Sequence, residues 1–199
     1  MHATGPPVLT SRRLHIRAVA RRVFDAPPAI AGRPEHPPHL REYLSDLVRP
    51  YGLSLRDGLE GHSYGEMAAA LIGELVEPDQ PVDLLVVAFA IPDVRPGRAT
   101  ATYLSHLCPG RPLAFAVCDQ GGAAAFTGLR LVREYARSGG CQRALLLVLE
   151  QAGLAYDTGL PVDVPDAHTA VALLCDDDGA ARVESIHQHA DVAAGRAPG

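Results

Sequence analysis

The chain of 199 residues carries 47% hydrophobic and 21% charged side chains and a formal net charge of −5, the proportions of a soluble globular protein with one well-buried core or two small lobes. Without a basic run it offers nucleic acid no electrostatic footprint, and its longest apolar stretch, Leu84 to Ile91, is far too short to span a bilayer. All 18 basic residues are arginine, which excludes lysine Schiff-base and P-loop lysine chemistry within the chain.

The ends, residues 1–11 and 192–199, are rich in Gly, Pro and Ala and are expected to fray, leaving 1–191 as a single domain and 192–199 as a flexible tail. No charged-then-apolar signal pattern opens the chain, which points to the cytoplasm. Leu14 to Phe24 mixes apolar, basic and β-branched residues and reads as an edge strand. Ala26 to Pro38 holds five prolines and reads as a loop. His39 to Val48 follows as a short helix, ended by Pro50-Tyr51-Gly52.

From residue 60 the signals are sharper. Ser63-Tyr64-Gly65-Glu66 is a capping box, in which the Ser and Glu side chains satisfy each other's backbone donors. Met67, Leu71 and Leu75 then mark one helix face, and Pro78-Asp79 closes it. Asp83 to Ile91 is a continuous apolar run, as expected of a strand covered on both faces. Arg98 to Leu107 reads as a helix. Leu113 to Cys118 reads as the next buried strand, and Gly122 to Ser138 as a helix with Phe126, Leu129, Val132 and Ala136 inward. Gly139-Gly140 ends that helix. Arg143 to Glu150 is a third buried strand, 152–166 a loop, and Thr169 to Leu174 with Ala181 to His187 a closing hairpin. Helices alternating with buried strands argue for a mixed α/β layer.

The four cysteines, Cys108, Cys118, Cys141 and Cys175, form no C-x-x-C pair, so zinc and thioredoxin-like readings fail. They read as small buried hydrophobes. The junction between the second strand and the long helix is the most informative. In many enzymes such a turn presents a nucleophile. Here it holds Gln120, Gly121 and Gly122, with no Ser, Thr or Cys at its tip.

The order of segments is specific: a capped helix, Asp83 to Ala88, Ile91-Pro92-Asp93 with Pro96, a short helix ending at Pro109-Gly110, Phe115 and the elbow, a helix ending Arg137-Ser138-Gly139-Gly140, the strand to Glu150, and Asp166-Ala167-His168-Thr169-Ala170-Val171-Ala172-Leu173-Leu174. Over roughly residues 60–190 it resembles the N-terminal half of a ketoacyl synthase III-type enzyme of the thiolase-like superfamily. The resemblance implies an α/β half-unit with a mixed five-stranded sheet layered with helices. Members condense acyl thioesters with an elbow Cys, helped by a His and an Asn (or second His) from the other half. Counted from Phe115, that Cys falls on Gly121, or on Gln120 if the strand is one residue shorter. The chain ends about where the family's second half begins, so no counterpart of that His and Asn is expected.

Three residues near the elbow remain as catalytic candidates. Cys118 is either a displaced nucleophile with Asp119 beside it or a buried strand-end cysteine. Gln120 either serves a decarboxylation, as in ketosynthase-like domains that carry Gln for Cys, or ties the loop together. Glu150 and Gln151 are expected near the elbow, orienting a ligand or simply closing the strand. Arg130, Arg133 and Arg137 are expected on one solvent face, suited to docking an acidic carrier protein. His187 and His189 share a strand face but make a poor metal site, and Asp176-Asp177-Asp178-Gly179 is too short for a calcium loop and reads as a turn. No metal or resident cofactor is expected. Only the acyl-phosphopantetheine of a carrier protein enters through the resemblance; coenzyme A itself is unsupported.

The leading expectation is a non-catalytic, auxiliary ketosynthase-like protein of polyketide or fatty-acyl natural-product biosynthesis. The alternative is an acyltransferase, cyclase or decarboxylase acting on a carrier-bound thioester; a purely structural remnant is a third reading. A half-unit exposes a strand edge and the surface its second half would cover. The expected partner is therefore a second copy, or a ketosynthase-type subunit in a heterodimer, with an acyl carrier protein as a further partner.

Overall fold

Leu84-Leu85-Val86-Val87-Ala88 contains no polar side chain, and burying it requires cover on both faces and a neighbour on each edge. In a computed structural model of the chain, which describes residues 13–25, 38–56, 62–93, 99–162 and 164–187, this segment is fully buried as strand β3. In chain order the elements are β1 (His15–Val23), α1 (Pro38–Val48), β2 (Ser54–Leu55), α2 (Tyr64–Leu75), β3 (Leu84–Ala88), α3 (Thr100–Leu107), β4 (Leu113–Val117), α4 (Ala124–Arg137), β5 (Ala144–Glu150), β6 (Tyr156–Asp157), β7 (Thr169–Asp176) and β8 (Ala181–Arg182). His189, Pro96, Arg98, the proline-rich stretch 26–37 and the expected tail lie outside the described residues.

The main sheet has six strands in the order β4-β3-β5-β7-β1-β8, and β2 with β6 forms a separate two-stranded ribbon. β3 runs parallel to both β4 and β5, whereas β7 is antiparallel to β5 and β1. The sheet is mixed, as the resemblance implies, with β8 as a two-residue addition to the five longer strands. That addition corrects the expected hairpin. β8 pairs with His15 and Ile16 of β1, which lies between it and β7. At Gly179 a Cβ would overlap the backbone of Ile16 and Arg17, so only glycine lets the chain cross β1 this closely.

The capping box forms as read: Ser63 Oγ accepts from Glu66 N at 3.2 Å, and the Glu66 carboxylate accepts from Ser63 N at 3.0 Å. α2 then buries Tyr64, Met67, Ala68, Leu71 and Ile72. With Leu104 of α3 they pack on Leu85, Val87, Leu145, Leu147 and Leu149, one face of the sheet. The other face carries α4 over Val86, Ala88 and Leu146. Close approach needs Gly128, where a Cβ would stand 2.8 Å from Leu146 Cδ1.

Two sequence expectations fail here. Phe126 is not inward but 64% exposed, because α4 buries Ala124, Gly128, Val132 and Ala136, a four-residue repeat that leaves Phe126 half a turn away. β4 is not a buried strand. Among the described residues it is the last in the sheet, has one neighbour, and leaves Leu113 57% exposed. Conversely β1, read as an edge strand, is paired with β8 at its first two residues, and among the described residues no strand pairs with the rest of its outer edge.

Candidate functional site

Parallel pairing brings the C-terminal ends of β3, β4 and β5 to one end of the sheet. Val117, Ala88 and Val148 stand in line across it, so Asp119 and Glu150, each two residues further on, reach the same level. Two strand spacings, about 10 Å, separate Val117 from Val148. Glu150 and Gln151, expected near the elbow, stand at the C-terminal end of β5, at the end of the sheet where β4 leads into the elbow.

At the elbow the chain leaves β4 through Cys118, Asp119 and Gln120, turns through a short 3-10 segment at Gly121–Ala123, and enters α4. Residues 119–123 are all exposed. Asp119 holds φ at 61°, a left-handed conformation in which a side chain costs energy, and Gly121 follows at 52°. Thr127 Oγ1 donates to Gln120 Oε1 at 2.6 Å. That bond fixes the carboxamide and leaves its N–H₂ as a donor pair. Cys118 Sγ donates to Asp119 Oδ2 at 3.3 Å. Burial first, and then that bond and the Asp119 charge, push the thiol above its ordinary value. The thiol form is favoured, the opposite of what an activated nucleophile needs. Cys108 and Cys175, pushed up to about 11 and about 12 by burial, are small core residues, as is Cys141.

The loops beside the elbow are built differently. Gln151 is fully buried, and its Nε2 donates to the His62 carbonyl at 2.6 Å. It braces the lead-in to α2, while Glu150 closes β5 half-buried, opposite Thr169. Asp93, quoted in the sequence only as part of a motif, accepts from Tyr64 N and from Thr100 Oγ1, both at 3.2 Å. One carboxylate thus sits at the positive ends of α2 and α3. Tyr64 O–H donates to the Ile91 carbonyl at 2.6 Å, and burial first, then Asp93 and Glu150, raise its pKa. His168 accepts from Ala152 N through Nδ1 at 3.3 Å, and its ring meets His62 edge-on at 6.5 Å. Burial, then the neighbouring His62, lowers its pKa. Neither Asp93 nor His168 was singled out in the sequence, because their partners lie far along the chain.

The other candidates fall elsewhere. Arg137 pairs with Glu134 at 2.9 Å, and Arg133 lies 3.7 Å from the same carboxylate and donates to the Glu184 carbonyl. Arg130 is exposed, so the trio presents a cationic face partly neutralised by Glu134. His187 is exposed beyond β8, not on a strand as read, with Nε2 3.0 Å from Ser185 Oγ. Asp176 bonds Arg17 and lies 3.6 Å from Arg143, which makes the Asp176–Asp178 turn an ion-pair cluster. Among the described residues no group of three His, Cys, Asp or Glu side chains is placed to hold a metal ion, and no helix is long and apolar enough to cross a membrane.

No protein-family model and no curated protein matches the chain. Solved structures do match its fold. The acyltransferase ChlB3 superposes with a TM-score of 0.52 at 18% identity, over 85% of this chain and 53% of that one. 3-Oxoacyl-(acyl carrier protein) synthase III, FabH, of Pseudomonas aeruginosa PAO1 gives 0.50 at 16%, over 85% and 52%. The HMG synthase of the curacin biosynthetic pathway, solved with its acetyl donor carrier protein, gives 0.50 at 17%, over 83% and 42%. The fold is thiolase-like. The chain spans about half the length of these structures, or less, and forms a ketoacyl synthase III-like half-unit. Of the two positions on which the resemblance sets the family's Cys, Gly121 is left-handed and without a side chain, and Gln120 is held by Thr127.

Proposed function

We propose that this protein is an auxiliary, non-acylating ketosynthase-like subunit of polyketide or fatty-acyl natural-product biosynthesis, which engages acyl groups held on a carrier protein. One observation carries the reading: the turn at 120–122 presents no Ser, Thr or Cys. Gly121 has no side chain, Gln120 is not a nucleophile, and the Cys118 thiol is tied to Asp119 with its pKa raised. The biosynthetic acyl-transferring and condensing enzymes that share the fold support the pathway class, and the curacin synthase held with its donor carrier protein supports a carrier as partner. The partner subunit is a second copy or a ketosynthase-type chain. A reducing cytoplasm suits four free cysteines.

A second reading rests on the Thr127–Gln120 bond. A fixed carboxamide N–H₂ beside the start of α4 can donate to a thioester carbonyl, which supports decarboxylation or acyl transfer in a site completed by a partner. Mass spectrometry after incubation with acetyl- and malonyl-loaded carrier protein separates the readings. The auxiliary role expects carrier binding, an unmodified chain mass and unchanged acyl groups. An adduct on Cys118, or turnover abolished by Cys118→Ala or Gln120→Ala, would overturn it in favour of the enzyme.

A further inference from the structure

Four stretches of chain meet at one dipeptide, Gln151-Ala152, where the chain leaves β5. The buried Gln151 side chain donates to the His62 carbonyl, and the Ala152 N–H donates to His168 Nδ1 at 3.3 Å. The Phe24 N–H, just past β1, donates to the His168 carbonyl at 2.9 Å, and the Phe24 ring packs on His62 with centroids 5.2 Å apart. The ends of β1 and β5, the lead-in to α2 and the start of β7 are thus tied through two histidines whose rings meet edge-on.

One of these ties depends on a proton. An imidazole nitrogen accepts a hydrogen bond only while it is unprotonated, so the Ala152 bond holds His168 as the neutral ring with its hydrogen on Nε2. A further proton goes to Nδ1, which turns the acceptor into a donor aimed at a donor. It also sets a cation against His62. The other titratable groups nearby do not offset this. The charge that acts on the ring is that of His62, on the lead-in to α2, and it opposes protonation. Glu150 closes β5 half-buried, and its charge acts on Tyr64 of α2. Asp25 beyond β1 and Asp166 on the approach to β7 are exposed to solvent. Past Ala152 the loop is held more lightly. The Ala155 carbonyl accepts from Arg56 N at 3.0 Å, β6 pairs with β2 over two residues, and Asp157 lies 3.9 Å from Arg56, both exposed.

We infer that His168 is a proton-operated latch: neutral, it fastens the loop leaving β5 through the Ala152 N–H, and protonated, it frees residues 152–157 at the end of the sheet that carries the elbow. The sign follows from the surroundings of the ring. Burial first, and then His62, lower its pKa from 6.5 while the loop is closed. Opening brings the ring into water and returns it toward that ordinary value. The latch is therefore closed above pH 6.5, and as pH falls from there toward the closed-state value, opening gains up to about tenfold per pH unit, the slope of one proton.

Amide hydrogen exchange on the full chain, followed by NMR at Ala152 and corrected for the intrinsic effect of pH, tests it. Protection of the Ala152 N–H is expected to hold steady above pH 6.5 and to fall by up to about tenfold per unit below it, while Leu147 in the middle of β5 keeps its protection. His168→Asn sets an amide oxygen where Nδ1 stands, and is expected to keep Ala152 protected and to remove the pH dependence. Should that variant unfold, the wild-type ring decides: nitrogen NMR is expected to find Nδ1 the unprotonated nitrogen at neutral pH. A protonated Nδ1 overturns the proposal, as does an Ala152 amide indifferent to pH or the same pH dependence in His168→Asn. Each is read without a carrier protein, so the outcome is independent of the acyl-carrier role.

Discussion

Two regions at the same end of the sheet contrast sharply. The loops after β3 and β5 are fastened by polar groups: buried Asp93 across two helix starts, buried Gln151 on the His62 carbonyl, and half-buried His168 on Ala152 N. The elbow after β4 is exposed from Asp119 to Ala123 and holds left-handed backbone at Asp119 and Gly121. In the first region each polar side chain is spent on the fold. In the second the Gln120 carboxamide N–H₂ remains as a donor toward solvent. That is where binding is to be sought, since strain and exposure persist only where the surroundings hold them.

Substitutions sharpen the contrast, beginning with the largest effect. Asp93→Ala leaves the Tyr64 N–H and the Thr100 hydroxyl without their acceptor in a buried setting, and is expected to cost about 3 kcal/mol. Urea unfolding reads this directly, and a loss under about 1 kcal/mol would show that water replaces the carboxylate. At the elbow, Gly121→Ala meets no atom within 4 Å, so its cost is backbone strain alone, about 1 kcal/mol. A neutral result there would mean that the left-handed turn relaxes.

The next test is a slope with pH. His168 has its pKa lowered in the folded chain from the ordinary 6.5, so the unfolded state binds more protons. Its contribution is complete above pH 6.5 and is lost as pH falls through 6.5 toward the folded value. Thermal unfolding of His168→Gln beside the wild type, from neutral to mildly acidic pH, is expected to show a flatter dependence in the variant. Parallel curves would remove His168 as the cause. Smallest of all, Gln120→Ala on the exposed elbow is expected to change stability by less than about 0.5 kcal/mol. A larger loss would move Gln120 into the class of Gln151, as a brace of the fold.

What was legible in the sequence follows the reach of each interaction. The capping box at Ser63 and Glu66 is three residues long and forms as read. The buried runs of β3 and β5 announce themselves, since a strand covered on both faces has no room for polar side chains. β4 reads much the same, Leu-Ala-Phe-Ala-Val, and lies at the edge. An apolar strand at an open edge and one in the centre differ in neighbours, not in composition. Phe126 misleads for a related reason: an aromatic residue near a helix start suggests the core, but Gly128 sets the inward face by allowing the backbone close to Leu146.

The candidate site divides in the same way. The sequence alone determines that no nucleophile stands at positions 120–122, that no lysine chemistry is available, and that one capped helix and a set of apolar strands must share a core. These are matters of composition and of contacts a few residues apart. Tertiary structure decides that Asp93 serves two helices, that Gln151 is a brace, that the Cys118 thiol is held by Asp119, and that an uncharged strand with Arg111 and Asp119 at its ends faces outward. Sheet order brings these groups together or leaves them exposed, and strand pairing across tens of residues leaves no mark at the individual positions it joins.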